Sequence, residues 1–157
     1  MTIVDLGAAP GGRSQYAAKL LRGKCRIIAV DILQMDEIAG VEFIHGDLTQ
    51  YAVLTQLTEL LGNAKVDLVL SDTAPNMSRI ADVDQDRSMY LVELALDFGK
   101  QHLAGHGDFL TKVFQGRDFQ PFMKQLRESS ATVKVRKPPA SRQRSSELCW
   151  LARNFHS

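Results

Sequence analysis

Apolar residues fall along this chain in two alternating patterns: short consecutive runs, and stretches in which they recur three or four positions apart. The first pattern predicts strands buried on both faces, and the second predicts one face of a helix. The chain opens on the run Ile3-Val4, passes through the turn Asp5-Leu6-Gly7-Ala8-Ala9-Pro10-Gly11-Gly12, and enters a helix over about residues 13–22, marked by Ala17, Leu20 and Leu21 and stopped by Gly23. Residues 26–30 form a second strand ending in Asp31, and 41–44 a third followed by His45-Gly46-Asp47. Val53, Leu57, Leu60 and Leu61 mark a helix closed by Gly62 and Asn63, before a fourth strand over 66–70.

The fourth strand runs into Ser71-Asp72-Thr73-Ala74-Pro75-Asn76, where Pro75 holds Ala74 out of the helical region and shapes the loop. Residues 77–88 read as a polar loop. Leu91, Leu94, Ala95 and Phe98 predict a helix to about His102, terminated by Gly105 and Gly107, and Asp108 to Val113 predict a fifth strand. Phe119, Phe122, Met123 and Leu126 predict a last helix whose stripe is core, and 131–136 with 147–152 a closing pair of strands. Strands alternating with helices predict an α/β fold with a mostly parallel sheet, the last hairpin closing one side.

Composition narrows the class. A chain of 157 residues, 45% hydrophobic and 24% charged, fits one globular domain over 1–157. Nineteen basic against eighteen acidic residues leave a net charge of +1, so affinity for nucleic acid has to come from local clustering. Two cysteines, Cys25 and Cys149, lack metal-ligand spacing, which predicts free thiols, no metal site and a reducing, cytoplasmic setting. No apolar run approaches the length of a membrane span, and no signal-peptide pattern opens the chain.

Candidate chemistry gathers at the strand ends. Gly7 permits a turn that a Cβ would obstruct, while Gly11 and Gly12 let main-chain N–H groups approach a ligand at a helix start, a cradle for a nucleotide-like cofactor. A plain loop-forming glycine cluster is the alternative. Asp31, about 20 residues on at the tip of the second strand, is placed to hold a ribose hydroxyl pair or to serve as a turn residue. Asp47 falls on the same edge, with an adenine amino group as its candidate partner. Asp72 faces the same cleft, or caps a helix.

Two features invite other readings. Asp82, Asp84 and Asp86 alternate as in a calcium loop, but counting from Asp82 the sixth position is Arg87 instead of glycine, and only Glu93 at the twelfth fits. Lys112 interrupts an apolar strand, where burial would suit it to proton abstraction and an edge position would leave its amine in water. Lys134, Arg136, Lys137, Arg142 and Arg144 supply five basic residues with no acidic one between positions 134 and 144, either a phosphate-binding loop or a solvated charge run.

The motifs DLGAAPGG, SDTAPNMS, TKVFQG and KVRKPPASRQRSSE, in that order over nearly the whole chain, resemble the FtsJ/RrmJ ribosomal RNA 2′-O-methyltransferases, of the bacterial kind acting on a uridine of large-subunit (23S) ribosomal RNA. The resemblance implies the Rossmann-like class I methyltransferase fold, a seven-stranded mostly parallel sheet with one antiparallel strand near the edge, and S-adenosyl-L-methionine as cofactor. It implies the methionine end of the cofactor at Gly7, Gly11, Gly12 and the backbone of Arg13, the ribose at Asp31, the adenine at Asp47 and the amino end at Asp72. It further implies Lys112 as the catalytic lysine with Asp72 and Glu147 near it, ribosomal RNA in the large subunit as partner, and a monomer.

Two features depart from the family pattern. Arg13 stands where the family carries an aromatic residue, and the chain starts at the first strand, where relatives carry a basic N-terminal extension with a second catalytic lysine. The latter is expected of a domain fragment, a shortened product or a start assigned late. Three readings follow: an RNA 2′-O-methyltransferase, a non-catalytic domain binding S-adenosylmethionine and RNA, and a nicotinamide-dependent dehydrogenase supported only by the glycine turn and Asp31.

Overall fold

The structure is a computed structural model that describes residues 1–7, 12–21, 24–32, 34, 36–72, 81–114, 119–136 and 147–156, with side chains described for all of these but 13, 15, 17, 81–88, 113–114, 136 and 147–149. In chain order the elements are β1 (Thr2–Leu6), α1 (Gly12–Leu21), β2 (Arg26–Asp31), β3 (Val41–His45), α2 (Tyr51–Leu61), β4 (Val66–Ser71), α3 (Ala81–His102), β5 (Leu103–Phe114), α4 (Phe119–Ser129), β6 (Ser130–Arg136) and β7 (Glu147–Phe155). The strands form one sheet ordered β3-β2-β1-β4-β5-β7-β6. β7 runs antiparallel to both of its neighbours and the other ladders are parallel, as expected of this fold class.

The central strands are apolar because both faces are covered. Val4, Leu6, Ile28, Val30, Val69 and Phe109 pack with residues of α2, α3 and α4, whereas Ile3, Ile27 and Leu70 pack with Ala18 and Leu21 of α1. On α4 the stripe Phe119, Phe122, Met123 and Leu126 is buried, and Ser129 and Ser130 hydroxyls donate to the Gln125 and Leu126 carbonyls at its end. Among the described residues no helix is long and apolar enough to cross a membrane, and Cys25 is a free thiol.

Three sequence expectations need correction. The polar loop over 77–88 is helical from Ala81, residues 77–80 lying outside the described residues. Polarity misled there: no glycine or proline interrupts the chain from Ala81 to Phe98, and a helix does not require a run of apolar residues to form. Leu60 is 37% exposed, because burial on α2 follows Val53, Leu57 and Leu61 at every fourth position. Gly105 and Gly107 lie within β5 instead of before it: Val66 pairs with Leu103 and Leu68 with Asp108, so residues 104–107 bulge from the ladder around His106 at φ 70°. A Cβ on Gly107 would meet the Ala104 carbonyl oxygen at 2.9 Å.

Candidate active site

β1 leads through α1 to β2 on one side of it, while β3 crosses back through α2 to β4 on the other, so the direction of winding reverses between β1 and β4. Such a reversal leaves a crevice at the C-terminal strand edge, where ligands bind in open α/β sheets. Three main-chain bonds continue the ladder past the strand ends and set the tips in a row: Gly46 N–H donates to Asp31 O at 2.9 Å, Gly7 N–H to Val30 O at 2.8 Å and Asp72 N–H to Leu6 O at 2.9 Å. Gly7 turns at φ 74°, a conformation that a side chain would strain.

Gly7, Asp31, Asp72 and Lys112 stand in this row, with Asp47 just past it. Asp31 ends β2, partly exposed, in register with His45 of β3. Asp72 follows β4, and its Oδ2 is 3.3 Å from Nζ of Lys112 on β5. Of the two readings of Lys112, the one with its amine in water agrees with the structure: its side chain is 36% exposed, because the strand delivers it to the open edge of the sheet. Asp47 lies beyond β3, where its Oδ1 accepts from Thr49 N–H at 2.9 Å and Thr49 Oγ1 at 2.7 Å, shaping the turn into α2. Asp47 therefore has a turn function of its own.

Gly12 and Arg13 open α1, while Gly11 lies outside the described residues. Glu147 begins β7, its backbone in register with Phe114, two ladder positions beyond the Lys112–Cys149 pair; its side chain is outside the description. Lys134 is exposed on β6 and Arg136 ends that strand, whereas Lys137, Arg142 and Arg144 lie outside the described residues. Sequence reasoning missed Asp5 and Ser14. Asp5 is fully buried on β1 and accepts a 2.8 Å hydrogen bond from Ser14 Oγ on α1. A lone carboxyl in an otherwise apolar strand was the available signal; nothing comparable marked Ser14.

The reversed winding, the row of carboxylates at the strand tips and the antiparallel β7 inserted before the edge strand are the architecture of class I methyltransferases. The chain belongs to the FtsJ-like methyltransferase family, whose model matches residues 1–155. It is 54% identical over 156 residues to the ribosomal RNA large subunit methyltransferase E of Chromohalobacter salexigens, covering 99% of this chain and 74% of that one. The protein of that name from Pseudomonas fluorescens is 52% identical over 155 residues, with the same two shares. The crystal structure of a ribosomal RNA methyltransferase from Plasmodium falciparum is similar at a TM-score of 0.84 and 26% identity, covering 98% of this chain and 86% of that one. This membership sets aside the dehydrogenase reading of the glycine turn and Asp31.

Proposed function

We propose that this chain, as one catalytic domain, methylates a ribose 2′-hydroxyl of ribosomal RNA, a uridine of 23S RNA in the large subunit, with S-adenosyl-L-methionine as methyl donor. The observation that carries the reading is the Asp72–Lys112 contact beside the winding reversal, on the sheet edge that also holds the turn at Gly7 and the end of β2 at Asp31. The same edge suits the cofactor: Gly7 takes a positive φ that a side chain would strain, and Asp31 and Asp72 stand at the strand ends on either side of it. Gly7, Gly11, Gly12 and the Arg13 backbone would hold its methionine end, Asp31 its ribose, Asp47 its adenine and Asp72 its amino group. When bound, it supplies a methyl group activated by a sulfonium.

The chain's own work is at the hydroxyl, a poor nucleophile near neutral pH. Lys112 Nζ, in its neutral form, orients it and takes its proton as the oxygen gains the methyl, while Asp72 and Glu147 fix the amine in place. Lys134, Arg136, Lys137, Arg142 and Arg144 hold the phosphate backbone, and the protein acts as a monomer in the cytoplasm. The test is transfer of labelled methyl from S-adenosylmethionine to undermethylated large ribosomal subunits, followed by alkaline hydrolysis. Label in an alkali-resistant dinucleotide is the expected result. Cofactor binding without label would instead favour the non-catalytic binding domain.

A further inference from the structure

We infer that Ser14 is a positioning residue for the cofactor turn, acting through the buried carboxyl of Asp5. The inference rests on the proposed S-adenosylmethionine site and names a determinant within it. Asp5 is the charged residue of β1, at 0% exposure between its register neighbours Ala29 and Leu70. A carboxyl in such surroundings needs hydrogen-bond donors. Ser14, at 1% exposure, supplies one from Oγ to Asp5 Oδ2 at 2.8 Å. In the first turn of α1 no helical carbonyl lies one turn earlier for the Ser14 hydroxyl, and it reaches across to the neighbouring strand.

The consequence is geometric. Ser14 is the third residue of α1, and the segment between it and Asp5 carries the glycines assigned to the cofactor. One end of that segment is fixed by Gly7 N–H on Val30 O at 2.8 Å, and the other by Ser14 on Asp5. The first turn of α1 is thereby held at one height above β1, and its main-chain N–H groups are aimed before any ligand arrives. Removing the hydroxyl takes a donor from a buried carboxyl and releases that turn. Lys112 lies on β5 and Asp72 just past β4, and neither takes part in the Ser14–Asp5 bond.

The full 157-residue chain and its Ser14→Ala and Leu21→Ala variants are compared by calorimetric titration with S-adenosylmethionine, thermal denaturation and methyl transfer at saturating cofactor. Leu21 packs the opposite end of α1 against Ile3, Ile27 and Leu70, so its truncation reports general loss of stability. Ser14→Ala is expected to weaken cofactor binding about tenfold, the scale of one buried hydrogen bond, with kcat at saturation nearly unchanged. Leu21→Ala is expected to lower Tm without that loss of affinity. Equal weakening in both variants, or native affinity in Ser14→Ala, overturns the inference while leaving the cofactor site standing. A parent chain that binds no S-adenosylmethionine overturns both.

Discussion

Asp72 and Lys112 each stand one residue beyond a matched pair of strand positions, Ser71 on β4 and Thr111 on β5, and their side chains meet with Nζ 3.3 Å from Oδ2. The sheet itself builds this relationship. Parallel neighbours that reach the same edge in register deliver their next residues side by side, and Asp72 N–H is further tied to Leu6 O at 2.9 Å. Regular elements hold a reacting pair more tightly than loops do. The contact is therefore expected to be present before substrate arrives.

Lys112→Met is expected to lower methyl transfer about 10²- to 10⁴-fold, the usual worth of a positioned general base, while calorimetric affinity for S-adenosylmethionine stays near that of the parent. Lys112→Arg should not rescue it, since a guanidinium stays protonated and does not accept a proton at neutral pH. Methyl transfer that survives in Lys112→Met would remove the lysine from the mechanism.

The two outer carboxylates should separate by what else they do. Asp31→Ala is expected to weaken cofactor binding about 10- to 100-fold, as for loss of hydrogen bonds to a charged group, with little change in Tm. Asp47→Ala should also lower stability by about 1 kcal/mol, because its Oδ1 holds the Thr49 N–H and hydroxyl at the entry to α2. Asp47→Asn keeps that acceptor and should restore the stability. Urea titrations beside calorimetry decide it; an Asp47→Ala variant as stable as the parent would refute the turn function.

The mostly parallel sheet, most of the helix faces and the edge shared by Gly7, Asp31, Asp47 and Asp72 were legible because each follows from local pattern: buried runs and helical spacing. The start of α3 was not, since a polar segment without a helix breaker carries no periodic signal. Nor was the bulge at residues 104–107, which depends on how β5 meets Val66 and Leu68 across the sheet. The choice between a buried and an exposed Lys112, and the Asp5–Ser14 bond, were hidden for the same reason. Both are set by where strand ends and a helix start fall in space, and sequence spacing does not encode that.

Burial and the positive charge of Lys65 hold the His102 imidazole below its ordinary pKa of 6.5. The unfolded chain then binds the proton more readily than the fold. Stability is accordingly expected to fall as pH drops from 6.5 through the lower folded value, and to be unaffected by this group above it. His102→Gln should flatten the urea midpoint across that window. An unchanged pH slope in the variant would show that other groups govern it.

Phe122 lies fully buried within the stripe of α4, against the face of the sheet that also receives α3. Phe122→Ala is expected to cost about 3–5 kcal/mol in denaturant unfolding, the range for truncating an aromatic side chain in a packed core. A loss under about 1 kcal/mol would mean that the α4 stripe is less tightly packed than its burial indicates.

The basic stretch is argued from charge alone, so its test is one that charge alone decides. Each phosphate contact releases counterions and adds about 0.7–0.9 to the magnitude of the slope of log affinity against log salt. If Arg142 and Arg144 lie on the RNA backbone, reversing both to glutamate should weaken binding to large-subunit RNA and reduce that slope by about 1–2. Lys134, exposed on β6, should add a further decrement of the same kind when reversed in that background. Weaker binding with an undiminished slope would point to a fold disturbed at the β6–β7 connection, and an unchanged affinity would make the stretch a solvated charge run. Only a shallower slope with unchanged S-adenosylmethionine affinity assigns these cations to the phosphate backbone, because salt-dependent RNA contacts and the cofactor row then fail independently.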